Sequence, residues 1–500
     1  MASQPRGPVA RTLATRLLPP LLVAVAALAV AWPILDNYFY ADDFLNLIEF
    51  ANHGLRDALA TPAAGHMCIV RNAVFYYTFR WFGMQPAAYF ATALATHVVN
   101  VLLLFTLIRR ITASASLAFL GGALFAAAPA NMGTLGWYSV YGHALGATFT
   151  LAAILLVVPA SDAPSGLGTR PAVGAACCML LASQCFGTAA AVAVIFPFLV
   201  LLLRPDGFRN TSSAVVLLAV PALVAVAWLV MNGYPTRLNP AGTAGLEGLV
   251  RLAGDWRNVS WMTAHLFALG LAGLLLGPTY PLSRYPDVLS AGILLTFVGA
   301  TGMSLHARGP RTRALVAFLA AALACYVAIA AGRASLYAAF NPKSLLAAFA
   351  DSTRYQYLGQ VWLAVVLCIV LADVVRRLPE ERYGTLLLCG WGTWAALSGV
   401  LLRPPVNHFA ANRARVTGAW QRIVEQVRAA PQGTTVCLGV EPVPMPLGFP
   451  ASLGIFMLFS PTDELEGRRV RFVSSDPHLL ARRDAGGRLQ RLLLPVDECS

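Results

Sequence analysis

Long apolar runs separated by short polar loops dominate the first four hundred residues. The runs fall at about 17–35, 86–108, 115–132, 143–159, 171–186, 189–203, 212–231, 258–277, 288–305, 314–331, 357–375 and 384–402. About twenty apolar residues in a helix cross a bilayer. These runs are continuous and rich in Ala, Leu and Val, without the alternation of barrel strands, so they predict helices. The expected fold is a polytopic α-helical membrane protein. After residue 402 the pattern changes. Residues 412–430, "NRARVTGAWQRIVEQVRAA", place Val416, Trp420, Ile423, Val424 and Val427 on one helical side. "TTVCLGV" (434–440) and "RVRFVSS" (469–475) read as strands. The expectation is a membrane part over 1–402 and a small α/β domain over 403–500.

Composition supports this division. The chain is 58% hydrophobic and 12% charged, about half the charge of a soluble protein. Net charge is +13, nearly all from arginine, with Lys343 the single lysine. The arginines are spread through short loops and form no basic face, so nucleic acid is not an expected partner. They set sidedness instead. Arg6, Arg11 and Arg16 precede the first run, which reads as a retained span with a cytoplasmic N-terminus. Arg109, Arg110, Arg204 and Arg209 mark further cytoplasmic ends. The basic loops 306–313 and 376–384 fall on one side only if 258–277 does not fully cross. That gives about eleven transmembrane helices and an extracytoplasmic tail, in what reads as a bacterial plasma membrane. Cys437 and Cys499 lie in that tail and can pair in an oxidising compartment.

Chemistry concentrates beside the first span. "NYFYADDFLNLIEF" (37–50) sets Asp42 and Asp43 side by side. Phe44, Ile48, Ala51, Leu55 and Leu59 then recur at helical spacing, predicting an amphipathic helix on the membrane surface within the loop 36–85. Asp43 reads either as a helix cap or as a general base or cation site. Adjacent carboxylates can share a divalent metal or a substrate hydroxyl, and no residue set is assigned to a metal. In "GHMCIVRNAVFYY", His66 and Arg71 are substrate-binding candidates, against the plainer readings of a passive loop histidine and a snorkelling arginine. His97 and Asn100, one turn apart in a span, read as an interhelical hydrogen-bonding pair. The segment 332–357 adds Lys343, Arg354 and Tyr355. Arg354 has the forked geometry that suits phosphate; a salt bridge to Asp351 is its plainer alternative. No P-loop, protease motif or internal repeat is present in the sequence.

"ADDF" after a first span, then "GH", "RWFGMQPAAYFATALATHVVNVLLLFTLIRR", "LFAAAPANMGTLGWYSVYGHALGA" and "STRYQYLGQVWLAVV" together resemble the GT-C superfamily of membrane glycosyltransferases, which includes protein O-mannosyltransferases. The likeness covers roughly 15–400. It implies a polyprenyl-phosphate sugar donor used on the non-cytoplasmic side, with a protein, lipid or glycan as acceptor. It puts the base at Asp43, or failing it Asp42, and a donor-phosphate ligand at Arg354. The chain departs from the family's pattern between spans three and four, where Asn131, Gly133, Trp137 and Tyr141 stand in place of an acidic residue and an arginine. Two other readings stay open. A polysaccharide polymerase or ligase needs no carboxylate pair, and a lipid-sugar flippase moves its substrate without covalent transfer.

Overall fold

The computed structural model describes residues 8–40, 42–52, 54–60, 68–158, 166–233, 256–277, 287–306, 311–338, 353–376, 381–402, 409–439, 456, 459–460, 464–474 and 493–495. Helix α1 (Pro8–Ala31) leads through a 3-10 turn (Trp32–Asp36) to α2 (Asp42–Asn52), α3 (Leu55–Ala60) and α4 (Ile69–Phe82). Helices α5 (Pro86–Thr112) and α6 (Ala115–Ala127) form a hairpin. Short α7 (Asn131–Leu135) and a 3-10 turn (Tyr138–Val140) then lead to α8 (Gly142–Val157). Among the described residues every apolar run is helical, and eight helices are long and apolar enough to cross a membrane. The chain is an integral, multi-pass membrane protein of the expected class.

Residues Trp256–Leu276 form a continuous helix of 21 residues with the length and hydropathy of a span.

The helix Tyr357–Val375 is buried almost from end to end. A helix apolar all round belongs in a core, and this one packs on α5, α6, α8 and the helices Trp256–Leu276 and Thr312–Ala338. Peripheral helices instead expose leucine and valine, as at Leu17, Leu21 and Val25 or Leu386, Leu387 and Leu401. Such side chains face lipid at no cost, so buried contacts must come from close packing and polar links. Gly121 of α6 supplies the first: a Cβ there would lie 2.4 Å from Ile108 Cδ1 and 2.8 Å from Cys368 Sγ. The expected pair in α5 supplies the second. His97 Nδ1 lies 2.8 Å from the Tyr357 hydroxyl, and Asn100 Nδ2 donates to the Ala144 carbonyl (2.8 Å) and to the Tyr357 oxygen (3.1 Å).

In the tail, the helix Asn412–Ala429 buries Val416, Ile423 and Val427. Against it stand Val470 and Phe472 of β3 (Arg468–Ser474), the central strand of the sheet. Strand β1 (Thr435–Gly439) and β4 (Leu493–Pro495) run parallel to β3, and β2 (Glu464–Leu465) antiparallel. Cys437 is disulfide-bonded; its expected partner Cys499 lies outside the described residues. The tail meets the membrane part where Asn412 Nδ2 donates to the Phe39 carbonyl at 3.1 Å.

Candidate functional site

The stripe expected over 43–60 is two helices rather than one. Gly54, a poor helix former, separates α2 from α3, and the buried positions are Phe44, Leu47, Phe50 and Ala58. At the start of α2 the two carboxylates part. Asp42 is exposed. Asp43 is fully buried and all its acceptors are engaged: Oδ2 accepts from the Tyr40 amide (2.9 Å), and Oδ1 from the Ser139 amide and hydroxyl (2.6 Å each). The Asp43 amide returns a bond to the Tyr40 carbonyl at 2.9 Å. The side-chain bond back to the Tyr40 amide is that of the reciprocal half of a capping box, with Asp43 the second residue of α2 rather than the cap itself. Burial pushes the Asp43 carboxyl up to about 7, against the pull of these three donors, with neighbouring Asp42 adding a smaller push in the same direction.

Ser139 is the other half of this clasp. Its carbonyl accepts from Arg71 Nη1 (2.8 Å), and its hydroxyl accepts from Asn46 Nδ2 (3.1 Å). Arg71 is 1% exposed. Its remaining donors go to Asn46 Oδ1 (3.0 Å) and Asn72 Oδ1 (3.0 Å from Nε), and Asn72 in turn donates to the Ala58 carbonyl (2.8 Å). The structure therefore places Arg71 inside the clasp, where it holds α2, α3 and the Ser139 turn together. His66 and Lys343 lie outside the described residues.

Arg354 reaches the same turn from elsewhere in the chain. Residues Thr353–Tyr355 form a 3-10 turn against α7. Gly133 permits that approach, since a Cβ there would lie 2.1 Å from Thr353 Oγ1 and 2.6 Å from the Arg354 amide. Thr134 Oγ1 donates to the Arg354 carbonyl at 2.9 Å. The half-buried guanidinium sits 4.7 Å from the Trp137 ring centre and 4.9 Å from that of Tyr355, and donates to the Tyr355 hydroxyl at 3.2 Å. Trp137 also meets the edge of Tyr40, with ring centres 5.3 Å apart. One turn, 131–141, thus joins the carboxylate segment to the arginine. Among the described residues no three His, Cys, Asp or Glu side chains form a metal-binding group.

No protein-family model and no curated protein sequence matches the chain. Its overall shape matches the crystal structure of ArnT from Cupriavidus metallidurans bound to undecaprenyl phosphate. The match has a TM-score of 0.53 at 14% identity and covers 97% of this chain and 90% of that one. The chain has the overall fold of that ArnT. The apo structure of the same ArnT matches over the same shares, with 18% identity and a TM-score of 0.44. At these identities the likeness fixes architecture and not chemistry.

Within this fold the sequence had singled out Asp42, Asp43, Arg354 and Tyr355, and the structure brings both segments onto one turn. It had missed Ser139, Asn46, Asn72 and Trp137. The signal for Ser139 and Trp137 was the polar and aromatic density of "NMGTLGWYSV", where the departure from the family's pattern had stood out instead.

Proposed function

We propose that this protein transfers a sugar from a polyprenyl-phosphate donor to an acceptor at the non-cytoplasmic face of the membrane. The observation that carries the reading is the 131–141 turn, which holds the Asp42–Asp43 segment through Ser139 and the Arg354 guanidinium through Trp137. The bound undecaprenyl phosphate of the ArnT neighbour, which shares the fold, supports a lipid phosphate as the donor's anchor. The Cys437 disulfide supports an extracytoplasmic tail, because disulfides persist in oxidising compartments. We take residues 403–500 as a separate domain on that side.

The roles divide by exposure. Asp42 is the accessible carboxylate and serves as the general base; Asp43 is spent on its three donors and places α2. Asp42 takes the proton of the acceptor hydroxyl, whose oxygen forms a bond to the anomeric carbon. The bond from that carbon to the phosphate oxygen breaks, and the lipid phosphate leaves with the electron pair. One displacement inverts the centre. Arg354 faces the charge that grows on the leaving phosphate.

The test is incubation of the purified protein with a panel of polyprenyl-phosphate sugars, measuring released lipid phosphate. Asp42→Asn is expected to lower transfer at least about a hundredfold, the usual size of a general-base contribution, with folding intact. Transfer unchanged in Asp42→Asn removes the assigned base. Sugar movement in vesicles without bond cleavage replaces the whole reading with transport.

A further inference from the structure

The first turn of the tail helix breaks a local rule. Asparagine is among the best helix caps and alanine among the poorest. Yet Ala411 caps this helix without a side-chain bond, and Asn412 stands one position inside it. Asn412 is 3% exposed, and its side-chain Nδ2 donates across the molecule to the Phe39 carbonyl at 3.1 Å. The helix forgoes a cap, and the asparagine bonds instead to the segment just before the carboxylates. Two neighbours reach the same segment. The Phe409 ring stacks on Tyr40 with centres 4.1 Å apart and planes 14° from parallel, and the Arg413 guanidinium lies 5.9 Å from the Tyr38 ring centre. The Asn412 backbone N–H donates to the Phe409 carbonyl at 3.0 Å, so one turn carries all three side chains.

We propose that Asn412 is a positioning residue for the Asp42 carboxylate, so that the C-terminal helix sets the rate of transfer. This rests on the reading above and deepens it. The path between the two residues is short. The fully buried Phe39 ring packs edge-on against Phe44 of α2, with centres 6.2 Å apart, and against Tyr89 of α5 at 5.0 Å. The next residue is Tyr40, whose amide and carbonyl both bond to Asp43. Asp42 itself is held from the other side, because Asn46 Nδ2 donates to its carbonyl at 2.6 Å. Asn46 belongs to the clasp through Arg71 and Ser139. The clasp therefore fixes Asp42 from downstream, and the tail fixes it from upstream. A base must stand within hydrogen-bond reach of the proton it takes, so a small displacement of its backbone slows the step without touching donor binding.

The experiment uses Asn412→Leu, which keeps the volume and removes the donor, in the full-length protein in detergent. Turnover is read as lipid phosphate released from whichever polyprenyl-phosphate sugar of the panel reacts fastest, and binding with radiolabelled undecaprenyl phosphate. Asn412→Leu is expected to lower kcat about three- to tenfold, the weight of one hydrogen bond, with the KM for the donor and the Kd for undecaprenyl phosphate unchanged. In an Asp42→Asn background it should add nothing, because the base it places is already gone. An equal fall in both backgrounds, or a Kd that rises in step with the fall in kcat, overturns the proposal by showing a general structural role. If Asp42→Asn loses transfer while Asn412→Leu turns over normally, the positioning role fails and the base assignment stands. If Asp42→Asn transfers normally, the base assignment fails first. Where no donor of the panel reacts, hydrogen exchange decides: the amides of 42–46 should exchange at least about threefold faster in Asn412→Leu, with those of α5 unchanged. Equal rates at 42–46 overturn the proposal. Should Asn412→Leu not fold, Asn412→Ala takes its place in each comparison.

Discussion

Two arginines meet the 131–141 turn from opposite sides, and their surroundings give them opposite tasks. Arg71 is buried and spends its donors on the Ser139 carbonyl and the oxygens of Asn46 and Asn72. Arg354 is half-buried between the rings of Trp137 and Tyr355. A guanidinium whose fork is filled by fixed acceptors is a strut. One held by its faces is oriented by contacts that leave its charge intact. The difference shows that position in a loop does not make a cation a ligand; what its neighbours consume does.

The largest effects should fall on Arg71. Arg71→Leu strands the Ser139 carbonyl and two amide oxygens in a buried site, and hydrogen bonds to a charged donor contribute about 1.5–3 kcal/mol each. A loss of stability of about 3 kcal/mol or more is expected, read as a fall in thermal melting of the purified protein. Arg354→Gln is expected to lose less, because the side chain is only half-buried and its ring contacts contribute about 0.5–2 kcal/mol. Equal losses for both variants would break the contrast.

Gly133→Ala probes the join between the two sides. The added Cβ would meet Thr353 Oγ1 and the Arg354 backbone, and backbone cannot rotate away. An overpacked contact of this kind costs about 1–3 kcal/mol. The Thr353–Tyr355 turn is expected to shift, weakening undecaprenyl-phosphate binding while the Asp43–Ser139–Arg71 clasp stays closed. Hydrogen exchange of the α2 amides against those of 353–357 would separate the two sides.

How far the sequence displayed this arrangement depends on the forces involved. The spans were legible because apolar length needs no partner to be recognised, and the Tyr357–Val375 helix follows from its composition alone. The His97–Asn100 pair was legible because polar groups inside a bilayer must find each other. The tail helix was legible through Val416, Ile423 and Val427. Burial of the loop residues was not. Arg71 and Arg354 have the same side chain, and only the fold decides which one the Ser139 carbonyl captures. Asp43 shows the same limit. The cap reading placed its side chain on the first-turn amides, whereas it bonds back to the Tyr40 amide and to Ser139, 96 residues away.

Asp43 sharpens the contrast through pH. Burial raises its carboxyl from the usual carboxylate range to about 7 in the folded chain. The unfolded chain has already released this proton well below that pH. The folded state therefore binds more protons between about 4 and 7, and stability falls as pH rises through that window, flattening above it. Between pH 6 and pH 8 this group alone should remove about 1.4 kcal/mol. Asp43→Asn should abolish that slope, although its amide would face the Tyr40 N–H and lower stability at every pH. An unchanged slope would place the titrating group elsewhere.

The smallest effect belongs to a third arginine, which tests whether exposure is the right axis of comparison. Arg428 ends the tail helix and grips Glu466 through several hydrogen bonds, at 2.7 Å from Nη2 and 2.9–3.0 Å from Nε. The geometry is a forked guanidinium–carboxylate pair, and the pairing holds the Glu466 carboxyl below its usual range. Yet the pair lies at the surface, with the two side chains 62% and 39% exposed. Water offers each partner nearly what the other does, and salt screens the rest. Arg428→Ala is expected to leave melting, lipid-phosphate binding and sugar transfer unaltered within error. A measurable loss of binding would show that the tail acts on the site through its sheet, and that hydrogen-bond geometry outranks burial in deciding which arginines matter here.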